Sequence, residues 1–312
     1  MTRGMLAMLA LAALLLAACG KEQAPVEARP TATPTLSAPT VAGSRTVKDM
    51  IGRDVAVTEH VDRVVAMSPT ALQFAEALGL EVLGRPSDSP AEGAEGAQTV
   101  GTTILPDFPA IAALKPDLVL ADAAYHGSRL RDFEQFPYPV FVLKAGSYQD
   151  VLAATTALGQ VTGRDDRAAE VNADIQQRVE AARAEATGTP PRVLILTGSG
   201  REVYGGSDAT YLGSLVNLLG GTNVLANEPQ GAPIAGFGLV EITQVATLDP
   251  DVVLVIASGQ GGLADQVRSA PEWAESKAVQ NDRVFELDTA LYLRAPGPSV
   301  GDAVEQLAGM LY

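Results

Sequence analysis

The sequence predicts an α/β protein built from two similar α/β lobes joined by a single long α-helix, with a ligand cleft between the lobes. Three observations carry this expectation. A heptapeptide of the form L-x-P-D-[LV]-V-L occurs twice, as Leu114–Leu120 and Leu248–Leu254. Each copy follows a β-branched run opened by arginine, Arg63-Val64-Val65-Ala66-Met67 and Arg192-Val193-Leu194-Ile195-Leu196. Between the two halves, Asp165–Thr187 contains neither Gly nor Pro and places Ala168, Val171, Ile175, Val179, Ala182 and Ala186 at three- and four-residue steps. That spacing predicts an amphipathic helix of about 23 residues, roughly 34 Å long.

Each part of the chain justifies its place. The opening MTRGMLAMLALAALLLAACG puts one cation, Arg3, before the apolar stretch Met5–Ala18. Fourteen helical residues span roughly 21 Å, short of the ~30 Å hydrocarbon core, so residues 1–18 read as a signal peptide. Leu16-Ala17-Ala18-Cys19 resembles the bacterial lipobox, which implies acylation of Cys19, the only cysteine. Residues 19–45 form a tether whose Pro25, Pro30, Pro34 and Pro39 favour extended, solvated backbone. The folded body divides into an N-terminal lobe over 46–150, an interlobe region with the long helix over 151–189, and a C-terminal lobe over 190–312. In each lobe the repeated proline stops a helical segment and the following aspartate begins a buried, parallel-type strand. Helical patterns follow the Arg-led strands at Pro69–Leu78 and around Thr210–Leu219, Gly188 and Pro190-Pro191 stop the central helix, and a last helix covers Val300–Leu311.

Composition removes several classes of function. With 47% hydrophobic and 19% charged residues, the chain has ample material for a packed interior. Lys and Arg number 22 against 37 Asp and Glu, a net charge of −15, which loss of Arg3 with the signal peptide takes to −16. That balance excludes a nucleic-acid footprint. One cysteine and two histidines leave no disulfide scaffold, no Cys-based zinc site and little basis for a receptor of bare Zn²⁺ or Mn²⁺. Gly297-Pro298-Ser299-Val300-Gly301 satisfies G-x-S-x-G, but the strand pattern ends near Leu287 and both histidines precede the serine, contrary to a hydrolase. Gly198-Ser199-Gly200 lacks the third glycine of a dinucleotide loop, and no G-K-[ST] phosphate loop occurs. A hydrolase and a non-transport envelope interaction lipoprotein are the alternatives from other classes.

The acylated cysteine, the Pro/Thr tether, D-R-V-V-A-M-S-P (62–69), L-K-P-D-L-V-L-A (114–121), the central helix, G-G-T-N-V-L-A (220–226) and L-D-P-D-V-V-L (248–254) together resemble the helix-backbone (class III) substrate-binding proteins of ABC importers for ferric siderophores, cobalamin and haem. The resemblance covers about residues 46–312. It implies an exported, membrane-anchored, monomeric binding protein without catalysis or a permanent cofactor, which delivers its ligand to a permease and its ATPase. Ligand contacts carried over from the resemblance are Ser68, Pro69, Tyr125, His126, Tyr204, Tyr292 and Arg294. Tyrosine offers a flat apolar face with a hydroxyl and arginine a planar fork for carboxylate or catecholate oxygens. No direct metal ligand is expected, except His126 or Tyr125 should the ligand be haem. The family's permease-docking glutamates fall here at Pro109 and Thr243. Acids lie two residues earlier in both copies, Asp107 and Glu241, and are the docking candidates, although either also suits a helix N-terminus.

Overall fold

A computed structural model describes residues 43–91, 93–199, 202–227, 234–257 and 262–312, all within one compact unit, Pro39–Tyr312. The signal peptide, Cys19 and nearly all of the tether lie outside the described residues. Strands β1 (Ser44–Lys48) and β2 (Asp54–Thr58) pair as an antiparallel hairpin ahead of the first lobe.

The N-terminal lobe runs β3 (Arg63–Ala66), α1 (Pro69–Ala77), β4 (Glu81–Arg85), β5 (Gln98–Thr99), α2 (Phe108–Leu114), β6 (Leu118–Asp122), α3 (Ala123–His126), α4 (Leu130–Glu134) and β7 (Val140–Leu143). Its strands form one sheet in the order β5-β4-β3-β6-β7, parallel throughout. Both faces are covered, which is why β6 and β7 read as unbroken buried runs. Helices α5 (Tyr148–Thr162) and α6 (Asp165–Glu185) follow.

The C-terminal lobe runs β8 (Arg192–Ser199), β9 (Glu202–Gly206), α7 (Tyr211–Leu218), β10 (Thr222–Asn223), β11 (Phe237–Leu239), α8 (Ile242–Ala246), β12 (Val252–Ala257), α9 (Leu263–Ser269), α10 (Lys277–Gln280), β13 (Val284–Leu287) and α11 (Val300–Leu311). Its sheet has the order β11-β9-β8-β12-β13, with β10 also on β8. Strands β8, β12 and β13 are parallel, as in the first lobe, whereas β9 and β11 add an antiparallel edge that the first lobe lacks.

The sequence repeat acts as a clamp. Lys115 and Asp249, the variable residues of the two L-x-P-D motifs, both take left-handed backbone, with φ of 50° and 46°, and so end the preceding helices. The motif aspartates then tie the strands together. Asp117 N–H donates to the Arg63 carbonyl at 2.8 Å while its Oδ2 accepts from Arg63 N–H at 2.9 Å. Asp251 repeats both bonds with Arg192, at 2.8 and 2.9 Å. The arginine side chains close the unit from outside, since Arg192 Nη2 donates to the Leu248 carbonyl at 2.8 Å and satisfies a helix-end acceptor.

Helix α6 has 21 residues, two fewer than its periodicity predicts, because the backbone leaves the helix at Ala186, its C-cap. Ala168, Val171, Ile175, Val179 and Ala182 form its buried stripe, as the spacing requires. Near its start Arg167 Nε donates to the Ala77 carbonyl at the end of α1, in the first lobe. Further along, Arg178 pairs with Asp302 and Glu305 of α11, in the second. Helix α5 lies tightly against it: a Cβ on Gly159 would sit 2.5 Å from that of Ala168, so only glycine permits this approach. One apolar core takes in β3 and β6, α5 and α6, β8 and β12, and α7 and α11.

Candidate functional site

Ligands of parallel α/β sheets bind outside the carboxyl ends of the strands. At that end of β3, Ser68 caps α1: its Oγ accepts from Ala71 N–H at 3.0 Å and donates to Asp122 Oδ2 at 3.2 Å. Pro69 is the first residue of the helix. Ser68 and Pro69 are both buried and fix the loop at the start of α1. Asp122, at the end of β6, caps α3 through Ala124 N–H at 2.9 Å. Burial raises its carboxyl above the ordinary aspartate value.

His126 follows at the end of α3. Its ring is buried, Nδ1 accepts from Asp122 N–H at 2.9 Å and Nε2 bonds the Thr103 carbonyl at 2.9 Å. Those partners fix the neutral tautomer with the proton on Nε2, and burial lowers the imidazole below its usual value. With both nitrogens bonded to backbone, the ring staples two loops together. Tyr292 is a core residue, only 1% exposed, with its hydroxyl donating to the Ala303 carbonyl at 3.0 Å. Tyr204 sits in the middle of β9, opposite Thr197 and Leu239, and not at a strand end.

Tyr125 and Arg294 are brought together where the lobes meet. Tyr125 Oη donates to the Arg294 carbonyl at 3.3 Å. Burial, followed by the charge of Asp122, raises the phenol and keeps it a donor. Arg294 Nη2 meets Asp88 Oδ2 of the first lobe at 3.1 Å, and its side chain is 44% exposed. Beside them Gln73 Nε2 donates to the Ala295 carbonyl at 3.1 Å and Gln73 Oε1 accepts from Ser299 Oγ at 2.8 Å. Ser299 of the G-x-S-x-G segment therefore belongs to a lobe-to-lobe contact in the loop before α11.

Sequence reasoning missed Asp88, Gln73, Thr103 and Asp122. A signal existed for Asp88 alone, which lies in Pro86-Ser87-Asp88-Ser89-Pro90, a loop directly after a strand. Among the described residues no group of three or more His, Cys, Asp or Glu is arranged to hold a metal ion. No helix of those residues is long and apolar enough to cross a membrane.

The two acids flanking the repeats are exposed. Asp107 caps α2, its Oδ1 accepting from Ala110 N–H at 3.0 Å, whereas Glu241 occupies the same position on α8 without a capping bond. Glu241 edges an apolar groove of about 360 Å³ lined chiefly by Leu225, Leu239, Val240, Val245 and Leu248.

The family model for periplasmic binding proteins matches residues 54–291. The chain belongs to the periplasmic binding protein family. Among its relatives, the Fe(3+)-citrate-binding protein YfmC of Bacillus subtilis (strain 168) is 23% identical over 81% of each chain. The ABC transporter substrate-binding lipoprotein YvrC of the same organism is 24% identical over 99% of this chain and 96% of its own. The solved structure of the petrobactin-binding protein YclQ, also from Bacillus subtilis, superposes with a TM-score of 0.76 at 18% identity, covering 86% of this chain and 98% of that one. For this periplasmic binding protein the likeness to YclQ shows a shared two-lobed α/β fold.

Proposed function

We propose that this periplasmic binding protein is the extracytoplasmic receptor of an ABC importer, capturing an anionic ferric chelate between its lobes and delivering it to the permease. The observation that carries the reading is the convergence of Tyr125 and Arg294, one from each lobe, on the strand-end side of the fold. Arginine's fork suits carboxylate or catecholate oxygens, and tyrosine adds an apolar face with a hydroxyl. YfmC and YclQ, whose names record ferric citrate and petrobactin, support this class of ligand.

Ferric siderophores rank first, cobalamin second and haem third. Engagement of both His126 nitrogens weighs against axial ligation of haem. The protein performs no chemistry on its ligand and works as a monomer. In this reading Cys19 carries the lipid anchor, the tether lets the body reach the permease, and exposed Asp107 and Glu241 dock it there.

Titration of the purified protein with ferric citrate, ferric siderophores, cobalamin and haem tests the proposal. Saturable binding of a ferric chelate at micromolar concentration or below is expected. Ligand absorbance is the better readout, because Trp273, the only tryptophan, is fully buried in the second lobe's own core. Turnover of an ester substrate without binding of any ligand would replace the transport reading with a hydrolase.

A further inference from the structure

The ion pair across the lobes has one fixed member and one adaptable member. Asp88 is held from behind, with Oδ1 accepting both the N–H of Thr103 at 2.9 Å and its hydroxyl at 3.0 Å. The Thr103 carbonyl is in turn bonded to buried His126, which is anchored on Asp122. This carboxylate is therefore built into the first lobe as a positioned anion, although no feature of the family resemblance points to it. Arg294 stands on an irregular helical turn between β13 and α11, more exposed than its partner, and only its Nη2 reaches Asp88. A guanidinium carries five N–H donors, so a second acceptor can join or displace the first.

We infer that Asp88 is a specificity-determining residue, a resident anion that competes with the ligand's own anionic oxygens for Arg294. The inference rests on the reading of Arg294 as a ligand contact. A bare arginine in the cleft would hold any anionic oxygen. Paired with Asp88, the same arginine leaves the local charge neutral, and an incoming chelate must both replace a carboxylate already in place and tolerate its charge nearby. Selection then favours chelates whose oxygens engage several donors of the guanidinium at once over ligands that offer a single oxygen. The retained anion also speeds release, which a protein that hands its cargo onward requires.

The test titrates ferric citrate into the protein and into Asp88→Asn, Arg294→Gln and the double variant, with dissociation rates and salt dependence measured alongside. The Asp88→Asn change keeps an acceptor for Thr103 and replaces the oxygen facing Arg294 with an uncharged NH2 that cannot accept, and thermal melting verifies that each variant is folded. Asp88→Asn is expected to bind ferric citrate about fivefold more tightly, the scale of a partly exposed ion pair. It should also release the chelate more slowly and lose affinity more steeply with salt, and the gain should vanish when Arg294→Gln is added. Weaker binding by Arg294→Gln together with unchanged or weaker binding by Asp88→Asn overturns this inference and leaves the proposed function standing. A gain that persists in the double variant overturns it too, since the effect is then general charge rather than competition. Unchanged binding by Arg294→Gln removes the Arg294 contact and the inference with it. Failure of ferric citrate and every ferric siderophore to bind removes the transport reading as well.

Discussion

Arg178 of α6 grips Glu305 of α11 with a two-pronged hydrogen bond, Nε to Oε1 at 2.8 Å and Nη2 to Oε2 at 2.7 Å. Asp302, one turn earlier on α11, shares the same guanidinium. The arginine holds the Glu305 carboxyl below the ordinary glutamate range. Arg178→Ala is expected to cost about 1 kcal/mol, because the pair is partly exposed and its Coulomb energy is screened. Chemical denaturation measures it. A lowered carboxyl pKa contributes stability that is present above the unfolded value and lost as pH falls through the folded one, so the variant's deficit should shrink in acid. Arg178→Lys should recover only part of the loss, lacking the fork.

Ile175 is 1% exposed at the middle of the α6 stripe. Ile175→Ala removes three carbons from the core common to both lobes and should cost about 2–5 kcal/mol in urea unfolding, the upper part of that range if the site cannot collapse. Glu170→Ala, on the solvent side of the same helix, should change stability by under about 0.5 kcal/mol.

His126 makes the fold acid-sensitive. Burial lowers its pKa, so the unfolded chain takes up a proton near pH 6.5 that the folded ring accepts only at lower pH. Stability should therefore fall as pH drops below about 6.5, down to the folded value. Asp122 acts in the opposite sense. Its raised pKa means that ionisation burdens the folded state as pH climbs from the unfolded value of about 3.9 through the folded one. Thermal melts of His126→Gln and Asp122→Asn across pH 4–8 should each lose one of these slopes.

Gly101 holds a φ of 89°, and a Cβ there would press on the Leu105 carbonyl and lie 2.7 Å from the Asp107 amide nitrogen. Gly101→Ala should destabilise the protein by about 2 kcal/mol through left-handed backbone and this clash together. Loosening should be greatest over residues 102–107, visible as faster hydrogen exchange at the amides of Thr103 and Asp107.

The docking assignment separates binding from delivery. Asp107→Lys with Glu241→Lys should leave chelate affinity in solution unchanged and reduce uptake in cells at least tenfold, if both acids meet cations on the permease. Loss of Asp107's capping bond alone should cost about 1 kcal/mol, which Asp107→Asn, a good cap without charge, would avoid. Unimpaired uptake in the double variant would remove the docking role.

The architecture was legible where one physical rule governed several residues. Both L-x-P-D copies read as helix stop and buried strand because proline, aspartate and a β-branched run act at fixed offsets, and the structure adds the reason for the leading arginines. The α6 stripe was legible because burial follows a 3.6-residue period, and Val300–Leu311 for the same cause. The antiparallel edge formed by β9 and β11 was not, since three- and five-residue strands carry too little pattern to reveal a partner more than thirty positions away. Site residues were harder still. Ser68 at a strand end is as good a helix cap as a ligand contact, and residue type cannot tell the two apart. Tyr292 shows the same ambiguity between a core hydroxyl and an exposed one. Asp88 reads as an ordinary turn residue until folding brings it to an arginine 206 positions distant.

Side chains from both lobes fill one interior with α6 running through it. Each half also keeps a smaller apolar cluster of its own, around Trp273 in the second and Ile111 in the first, but the main interior belongs to neither, despite the repeated motif that makes the halves look alike. A chain cut near Thr189 would yield two fragments that each expose the apolar face they now bury against the other.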